Sequence, residues 1–192
     1  MSLAQGNIIL DSTVVNVHQQ LIERCLAGDR QSHYELYKLY SRTMYNVGYR
    51  IVNNEDEAND VLQEAFISAF HNLESYRQES SFGAWLKRIV VNKAINCLHK
   101  RRTERLPEHE QWDIKEELDP DPFEGFPFSV EKVRAAIAAL PDGYRSVLSL
   151  YLLEGYDHSE IAEILGITES TSKSQFNRSK KKLKELLESE FK

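Results

Sequence analysis

An apolar stripe at helical spacing between residues 55 and 73 is the strongest constraint on how this 192-residue chain can fold. Apolar side chains recur there every three or four residues without a break, which is the period of one face of an α-helix. The other face is acidic, with no Lys or Arg between residues 55 and 64. This segment therefore predicts a helix with one buried and one acidic face. The stripe consists of Ala58, Val61, Leu62, Ala65, Phe66, Ala69, Phe70 and Leu73.

A second long helix, of opposite charge, is predicted over residues 82–102, with Ser80 or Ser81 as its cap. Residues 85–105 hold seven Lys or Arg and one acid. An acidic helix beside a basic one predicts one surface for a protein and another for nucleic acid. The expected buried stripe is Phe82, Trp85, Leu86, Ile89, Val90, Ala94, Cys97 and Leu98. The opposite rows carry Lys87, Arg88, Val91, Asn92, Ile95, Asn96 and His99.

Two further amphipathic segments, residues 18–26 and 30–52, precede these helices. The second segment contains five tyrosines, which we expect to pack against the other helices. Residues 18–103 therefore predict a four-helix unit without strands, and residues 1–17 predict a disordered leader. The tyrosines are Tyr34, Tyr37, Tyr40, Tyr45 and Tyr49.

Residues 104–128 lose all periodicity and contain four prolines, which predicts a flexible acidic linker. Residues 106–131 hold nine acids against Lys115 alone. Four aromatic residues are unusual in a spacer, and three interpretations stay open: the linker docks on a basic partner, folds back over a DNA-binding face, or is simply solvated. These residues are Trp112, Phe123, Phe126 and Phe128.

Residues 129–192 predict a second four-helix unit that contains a helix-turn-helix. Asp157 and Glu160 have the spacing of a capping box, and Gly166 stands where the turn needs a left-handed backbone. Thr168 would cap the next helix, which is basic. Short polar side chains at the start of that helix suit base edges and phosphates in a major groove.

The bulk properties exclude several classes of protein. No apolar run approaches the roughly 18 residues of a membrane span, and no signal peptide is visible. The net charge of −6 conceals two basic segments and an acidic connector. Cys25 and Cys97 are too few for a disulfide framework, and the six histidines lack metal-site spacing. With no nucleophile constellation or phosphate-binding loop, we expect a cytosolic protein that is not an enzyme and has no cofactor or metal.

Four motifs in order resemble the extracytoplasmic-function (ECF) group of bacterial sigma factors, in its minimal two-domain form. The resemblance covers residues 20–103 and 129–187. The motifs are NDVLQEAF at 59–66, FGAWLKRIVVN at 82–92, Leu140-Pro141 followed by Tyr144-Arg145, and the helix-turn-helix. It implies an all-α protein with sigma region 2 at 18–103 and sigma region 4 at 129–192.

The resemblance also implies partners and site residues. Asp60, Gln63 and Glu64 are expected to dock on the beta-prime clamp helices of core RNA polymerase, and region 4 on the beta flap. An anti-sigma factor is a further expected partner. The minus-ten element of promoter DNA would be read and opened by Tyr76, Arg77, Ser80, Ser81, Trp85, Lys87, Arg88, Asn92, Asn96, Arg101 and Arg102. The minus-thirty-five element would be read by Ser170, Thr171, Lys173, Ser174, Gln175, Asn177 and Arg178.

The chain departs from the family pattern at three positions. Ser172 replaces a branched apolar residue, Gln175 replaces a basic one, and Asn96 stands where Asp is frequent. We expect Ser172 to bury less apolar area and to loosen the C-terminal unit. The alternative function is a stand-alone helix-turn-helix regulator, which would bind DNA tightly without polymerase.

Overall fold

Eight α-helices make up most of the computed structural model, which describes residues 9–104 and 128–189. No strand occurs in these two ranges, so the all-α prediction is confirmed. None of their helices has the length and apolarity needed to cross a bilayer. The helices are α1 (Ile9–Leu26), α2 (Arg30–Val52), α3 (Glu55–His71), α4 (Phe82–Glu104), α5 (Val130–Ala138), α6 (Asp142–Leu152), α7 (His158–Leu165) and α8 (Glu169–Ser189).

Helix α1 begins at Ile9, inside the segment expected to be a leader. The first eight residues of that predicted leader lie outside the described residues. So do residues 105–127, which form nearly all of the predicted linker.

Two asparagines reverse the chain between α2 and α3. Asn53 adopts a left-handed conformation with φ of 55° and ends α2. The side chain of Asn54 accepts a hydrogen bond from the backbone N–H of Glu57 at 3.0 Å and so begins α3. Because the reversal takes only two residues, α2 and α3 become antiparallel neighbours, and α4 packs against both.

Helix α4 is buried over a wider arc than the sequence predicts. Val91 and Ile95 were placed on the face opposite the core, but both are buried, so that assignment was wrong. Trp85, Ile89 and Cys97, expected in the core, are only partly buried. The physical reason is that α4 has helical neighbours on two sides, α2 and α3, so no single stripe describes its contacts.

The local signals of the helix-turn-helix are confirmed. Asp157 and Glu160 form a capping box at the start of α7, and Gly166 ends it with φ of 66°. Thr168 accepts a hydrogen bond from the backbone N–H of Thr171 at 3.1 Å, which caps α8. These local bonds set where α7 ends and α8 begins, and therefore how the second helix leaves the turn.

The C-terminal unit packs directly on α2 and α4. Arg145, from the Leu140-Pro141 motif, is 3% exposed and lies at this contact. Its guanidinium donates to the carbonyl oxygens of Ile51 at 3.2 Å and Leu140 at 2.7 Å. Asn53 donates across the same boundary to the carbonyl of Ala138 at 3.0 Å. Polar groups thus join the two units around a continuous set of buried apolar side chains.

Candidate protein and nucleic-acid interfaces

The acidic face of α3 is open to solvent. Asp60, Gln63 and Glu64 are all exposed, because the apolar stripe on the other side of the helix is turned into the core. Lys93 of α4 approaches Glu64 at 3.4 Å. Ile67 lies one turn further along this face and is 69% exposed. Ile67 is not among the predicted contacts, although an apolar residue outside the buried stripe is a usable signal in the sequence.

Acids around an exposed apolar side chain suit a protein partner better than nucleic acid. The carboxylates would repel phosphates, whereas an Ile side chain can enter an apolar pocket on a protein. The surface formed by Asp60, Gln63, Glu64 and Ile67 is called the α3 acidic surface below.

Four aromatic rings pack together where α4 begins. Tyr76 lies 5.7 Å from Phe82 and 5.3 Å from Trp85, measured between ring centroids. Tyr40 of α2 packs against Phe82 at 5.3 Å. Burial raises the pKa of the Tyr76 hydroxyl and that of the Tyr40 hydroxyl.

The loop before α4 presents its tip to solvent. Arg77 and Ser80 are exposed, whereas Tyr76 turns its ring inward. The Tyr76 hydroxyl donates to the carbonyl oxygen of Ser80 at 2.7 Å. Ser81 accepts from the backbone N–H of Ala84 at 3.2 Å, which confirms it as a cap of α4. Of the loop residues predicted to contact DNA, Tyr76 and Ser81 therefore also have structural partners.

Two basic residues near the start of α4 contact the C-terminal unit. The ammonium of Lys87 donates to the carbonyl oxygen of Glu154 at 2.7 Å and lies 5.2 Å from the ring centroid of Tyr156. Arg88 lies 3.8 Å from the carboxylate of Glu163 on α7, and both of these side chains are largely exposed.

Arg101, near the end of α4, has acidic partners in both units. It pairs with Glu57 of α3 and lies 3.3 Å from Asp142 of α6. It also donates to the carbonyl of Val52 at 2.9 Å. The other predicted contacts on this helix, Asn92, Asn96 and Arg102, are exposed. The Lys and Arg side chains of α4 are called the basic row below. In this arrangement, the C-terminal unit therefore binds part of the basic row.

Helix α8 presents a polar first turn. Ser170 and Lys173 are exposed, and Lys173 pairs with Glu169 at 2.6 Å. Thr171 is half-buried, and its hydroxyl lies 2.7 Å from that of Thr168. Three further predicted contacts are also half-buried, so the predicted DNA contacts on this helix include both exposed and half-buried side chains. They are Ser174, Asn177 and Arg178.

Gln175 points into the C-terminal unit and is 3% exposed. Its side-chain oxygen has no hydrogen-bond partner within the described residues. Ser149 on α6 is buried with an unpartnered hydroxyl as well. The core of this unit thus contains unpartnered polar groups, and the contact between Gln175 and DNA stays a prediction.

Ser172 has a specific partner that the sequence did not predict. Its hydroxyl lies 2.9 Å from Nδ1 of His158, the first residue of α7. The imidazole stacks on Tyr151 of α6 at 4.5 Å and meets Phe176 edge-on at 5.6 Å. Burial lowers the pKa of His158, and the charge of Lys173 lowers it further. One imidazole thus joins three helices at the place where an apolar contact was expected.

The described residues contain no cluster of three or more His, Cys, Asp or Glu side chains suited to a metal ion. Cys25 is buried, and burial raises its pKa to about 11. Burial also raises the pKa of Cys97. Because the thiolate is the reactive form of cysteine, neither side chain is an activated nucleophile.

Comparison with known families gives two matches in chain order. A family described as Sigma-70 region 2 matches residues 36–105, and one described as Sigma-70, region 4 matches residues 131–183. The first covers α3, α4 and most of α2, and the second covers the helix-turn-helix.

Curated relatives resemble the chain over most of its length. The ECF RNA polymerase sigma factor SigW of Bacillus subtilis is 30% identical over 177 residues, covering 86% of this chain and 94% of that protein. The ECF RNA polymerase sigma-E factor of Haemophilus influenzae is 34% identical over 173 residues, covering 84% and 90%.

Solved structures support the same fold. The sigma factor RpoE of Bartonella quintana, bound to the anti-sigma factor NepR, has a TM-score of 0.55 at 22% identity, covering 81% of this chain and 96% of that one. CnrH, bound to the cytosolic domain of CnrY, has a TM-score of 0.53 at 21% identity, covering 90% and 97%.

Proposed function

Because this chain belongs to the ECF group of RNA polymerase sigma factors, we propose that it docks on core polymerase through the α3 acidic surface. Sigma factors are transcription initiation factors and not catalysts, so the polymerase supplies the chemistry in our proposal. We assign residues 18–103 to region 2, 104–128 to a linker and 129–192 to region 4. In this proposal, the protein acts in the cytoplasm, where polymerase binds the chromosome.

The α3 acidic surface carries this proposal. Asp60, Gln63 and Glu64 are exposed together on a helix whose other face is fully packed, so they are available without any rearrangement. In our assignment they contact the clamp helices of the beta-prime subunit, and Ile67 provides an apolar anchor among them. Region 4 would contact the beta flap.

The minus-ten element would meet the loop at 76–81 and the basic row of α4. Opening a duplex requires a site for an unstacked base and a basic groove for the displaced strand. The aromatic cluster at Trp85 and the exposed loop tip lie next to Lys87 and Arg88 in the chain, which supports this assignment.

The minus-thirty-five element would be read by the first turns of α8 in the major groove. Exposed Ser170 and Lys173 are suited to base edges and phosphates. If Lys173 contacts one phosphate, Lys173→Ala will weaken binding equally on all sequences and lower the salt slope by about one. An exposed lysine at the far end of the helix, Lys182, gives the matched control.

The minus-ten and minus-thirty-five elements lie about 25 base pairs apart, which is roughly 85 Å of duplex. The units touch in the arrangement described here, since Lys87 of α4 lies within hydrogen-bond distance of Glu154. While they touch, the two units cannot occupy the minus-ten and minus-thirty-five elements at the same time. We therefore propose that the units separate on polymerase. An anti-sigma factor, as found with RpoE, is the partner expected to keep this chain from polymerase.

The decisive experiment mixes purified protein with bacterial core polymerase and measures co-elution. We expect the wild type to bind and the triple variant Asp60→Ala, Gln63→Ala, Glu64→Ala to lose binding. A control triple variant, Gln31→Ala, Glu185→Ala, Glu188→Ala, also removes one amide and two carboxylates, from exposed sites elsewhere, and should bind normally.

Loss of binding in both triple variants would mean that net charge, and not the α3 acidic surface, mediates docking. A wild-type protein that ignores polymerase yet binds promoter DNA tightly on its own would overturn the proposal. That result would favour a stand-alone helix-turn-helix regulator.

A further inference from the structure

We infer that Tyr76 is a positioning residue that fixes the loop at 77–80 and thereby sets how selectively the protein reads the minus-ten element. This inference rests on the proposed function, and it changes the role expected for Tyr76. A side chain in contact with DNA would present its ring or hydroxyl to solvent. In this protein, the ring and the hydroxyl of Tyr76 both contact other residues of the chain.

The ring of Tyr76 packs against both Phe82 and Trp85, with centroid distances of 5.7 and 5.3 Å. These two residues lie in the first turn of α4, whose start is fixed by the hydrogen bond from the Ala84 N–H to Ser81. The ring is therefore anchored to a rigid element at the carboxyl end of the loop.

The hydroxyl of Tyr76 donates to the carbonyl oxygen of Ser80 at 2.7 Å, so a single side chain spans the loop from one end to the other. The backbone N–H of Tyr76 donates to the carbonyl of Leu73 at 3.1 Å, which fixes the incoming chain. Both ends of the loop are thus closed by hydrogen bonds, and the three residues between them form its tip.

The tip has an uncommon backbone. Gln78 adopts a left-handed conformation with φ of 60°, which is unfavourable for a residue other than glycine. Such a conformation persists only where the surrounding structure determines it. The bridge from Tyr76 to Ser80 is the side-chain bond that closes this turn, and it provides that constraint.

The side chains held at the tip are suited to reading bases. Arg77, Gln78 and Glu79 are exposed, and they offer a guanidinium, an amide and a carboxylate. These groups can recognise guanine, adenine and cytosine respectively by hydrogen bonds to base edges. Since hydrogen-bond selectivity depends on fixed geometry, loosening the loop should reduce discrimination between bases more than it reduces overall affinity.

Tyr40 provides a matched control within the same aromatic cluster. Its ring packs on Phe82 at 5.3 Å, as the ring of Tyr76 does at 5.7 Å. Its hydroxyl, however, lies 2.8 Å from Nδ1 of His18 on α1 and does not touch the loop. Tyr40→Phe and Tyr76→Phe therefore remove the same atom from the same cluster, and only the second unties the loop.

The test uses each variant as a holoenzyme with core polymerase. Initiation is measured in competition between a cognate promoter and copies with single substitutions in the minus-ten element. We expect Tyr76→Phe to lower the discrimination ratio about threefold to tenfold, the range expected for one hydrogen bond. Affinity for core polymerase and for the minus-thirty-five element should not change. Tyr40→Phe should keep the wild-type ratio.

Two results would overturn the inference while leaving the proposed function intact. In one, Tyr76→Phe discriminates as well as the wild type. In the other, Tyr40→Phe loses as much discrimination, which would show that the stability of the cluster matters and the bridge does not. A wild-type protein that never initiates with polymerase would instead refute the proposed function, and the inference with it.

Discussion

The carboxylate of Glu154 accepts a hydrogen bond from Nε of Arg50 at 2.8 Å, across a separation of 104 residues. The Glu154 side chain is only 4% exposed, whereas that of Arg50 is 34% exposed. Glu154 also brings its carbonyl to Lys87 on α4. One acidic residue of the C-terminal unit is therefore bound by cations from two helices of the N-terminal unit.

Removing the charge of Glu154 should weaken the contact between the units. Glu154→Gln keeps the shape but loses the ionic hydrogen bonds, which contribute about 1.5–3 kcal/mol when one partner is charged. We expect a larger radius of gyration by small-angle X-ray scattering and tighter binding of the free protein to promoter DNA.

Glu163→Gln is the control for this change. Its pair with Arg88 spans 3.8 Å and lies in solvent, where ion pairs contribute only about 0–1 kcal/mol. That variant should match the wild type in both measurements. If Glu154→Gln also leaves the radius of gyration and the DNA binding unchanged, the Arg50–Glu154 pair does not hold the units together.

Gln175→Leu should stabilise the C-terminal unit. The buried amide oxygen of Gln175 has no hydrogen-bond partner among the described residues, and leucine has a similar volume. Removing an unsatisfied buried polar group is expected to gain about 1–3 kcal/mol in the free energy of unfolding. Chemical denaturation of the full chain measures this, with the exposed Gln63→Leu as a neutral control. A loss of stability would indicate that Gln175 has a polar partner in the folded protein.

The stability of the C-terminal unit should fall as the pH drops below about 6.5. Burial, followed by the charge of Lys173, lowers the pKa of His158, while Glu169 and Asp157 act in the opposite direction. The unfolded chain therefore binds this proton more readily than the native one. The stabilisation is complete above the unfolded pKa and is lost as the pH falls towards the native pKa.

Thermal melts of the wild type and His158→Gln between pH 8 and pH 5 isolate this effect. The other titrating groups are common to both proteins, so the difference between the two curves reports on His158. We expect that difference to shrink as the pH falls. A difference that is constant over the whole range would show that His158 does not link proton binding to folding.

Ser172→Val should destabilise the protein, contrary to what the family pattern suggests. Valine restores apolar area but removes the hydroxyl that lies 2.9 Å from Nδ1 of His158. Leaving that nitrogen without a partner costs about 1–3 kcal/mol. The double variant His158→Phe, Ser172→Val should lose less stability than the sum of the single variants, because the two side chains interact. A higher melting temperature for Ser172→Val alone would contradict this expectation.

The sequence predicts where α3, α7 and α8 begin, because the responsible signals are local. The apolar period identifies α3, and Asp157, Gly166 and Thr168 act on backbone groups within a few residues of themselves. A side chain that bonds its own helix end does so in any packing arrangement. For the same reason, Ser81 could be recognised as a cap before the neighbours of α4 were known.

Contacts between distant segments were not predictable in this way. No period in the sequence shows that Val91 and Ile95 are covered, because their burial depends on a second neighbouring helix. Ser172 was expected to weaken packing, since its partner His158 lies on another helix and is not part of any motif. Whether a polar residue is compensated depends on the three-dimensional neighbour, and a single chain offers no signal for that.

The pairing of α4 cations with carboxylates has a consequence for the ionic-strength dependence of DNA binding. Arg88 and Arg101 already face Glu163 and Asp142 before any phosphate arrives. A phosphate that replaces one of these carboxylates exchanges one anion for another, and the displaced carboxylate recruits a cation from the buffer. Fewer ions are then released overall than phosphates are contacted, so the logarithm of affinity should fall with the logarithm of salt concentration less steeply than a count of contacts implies.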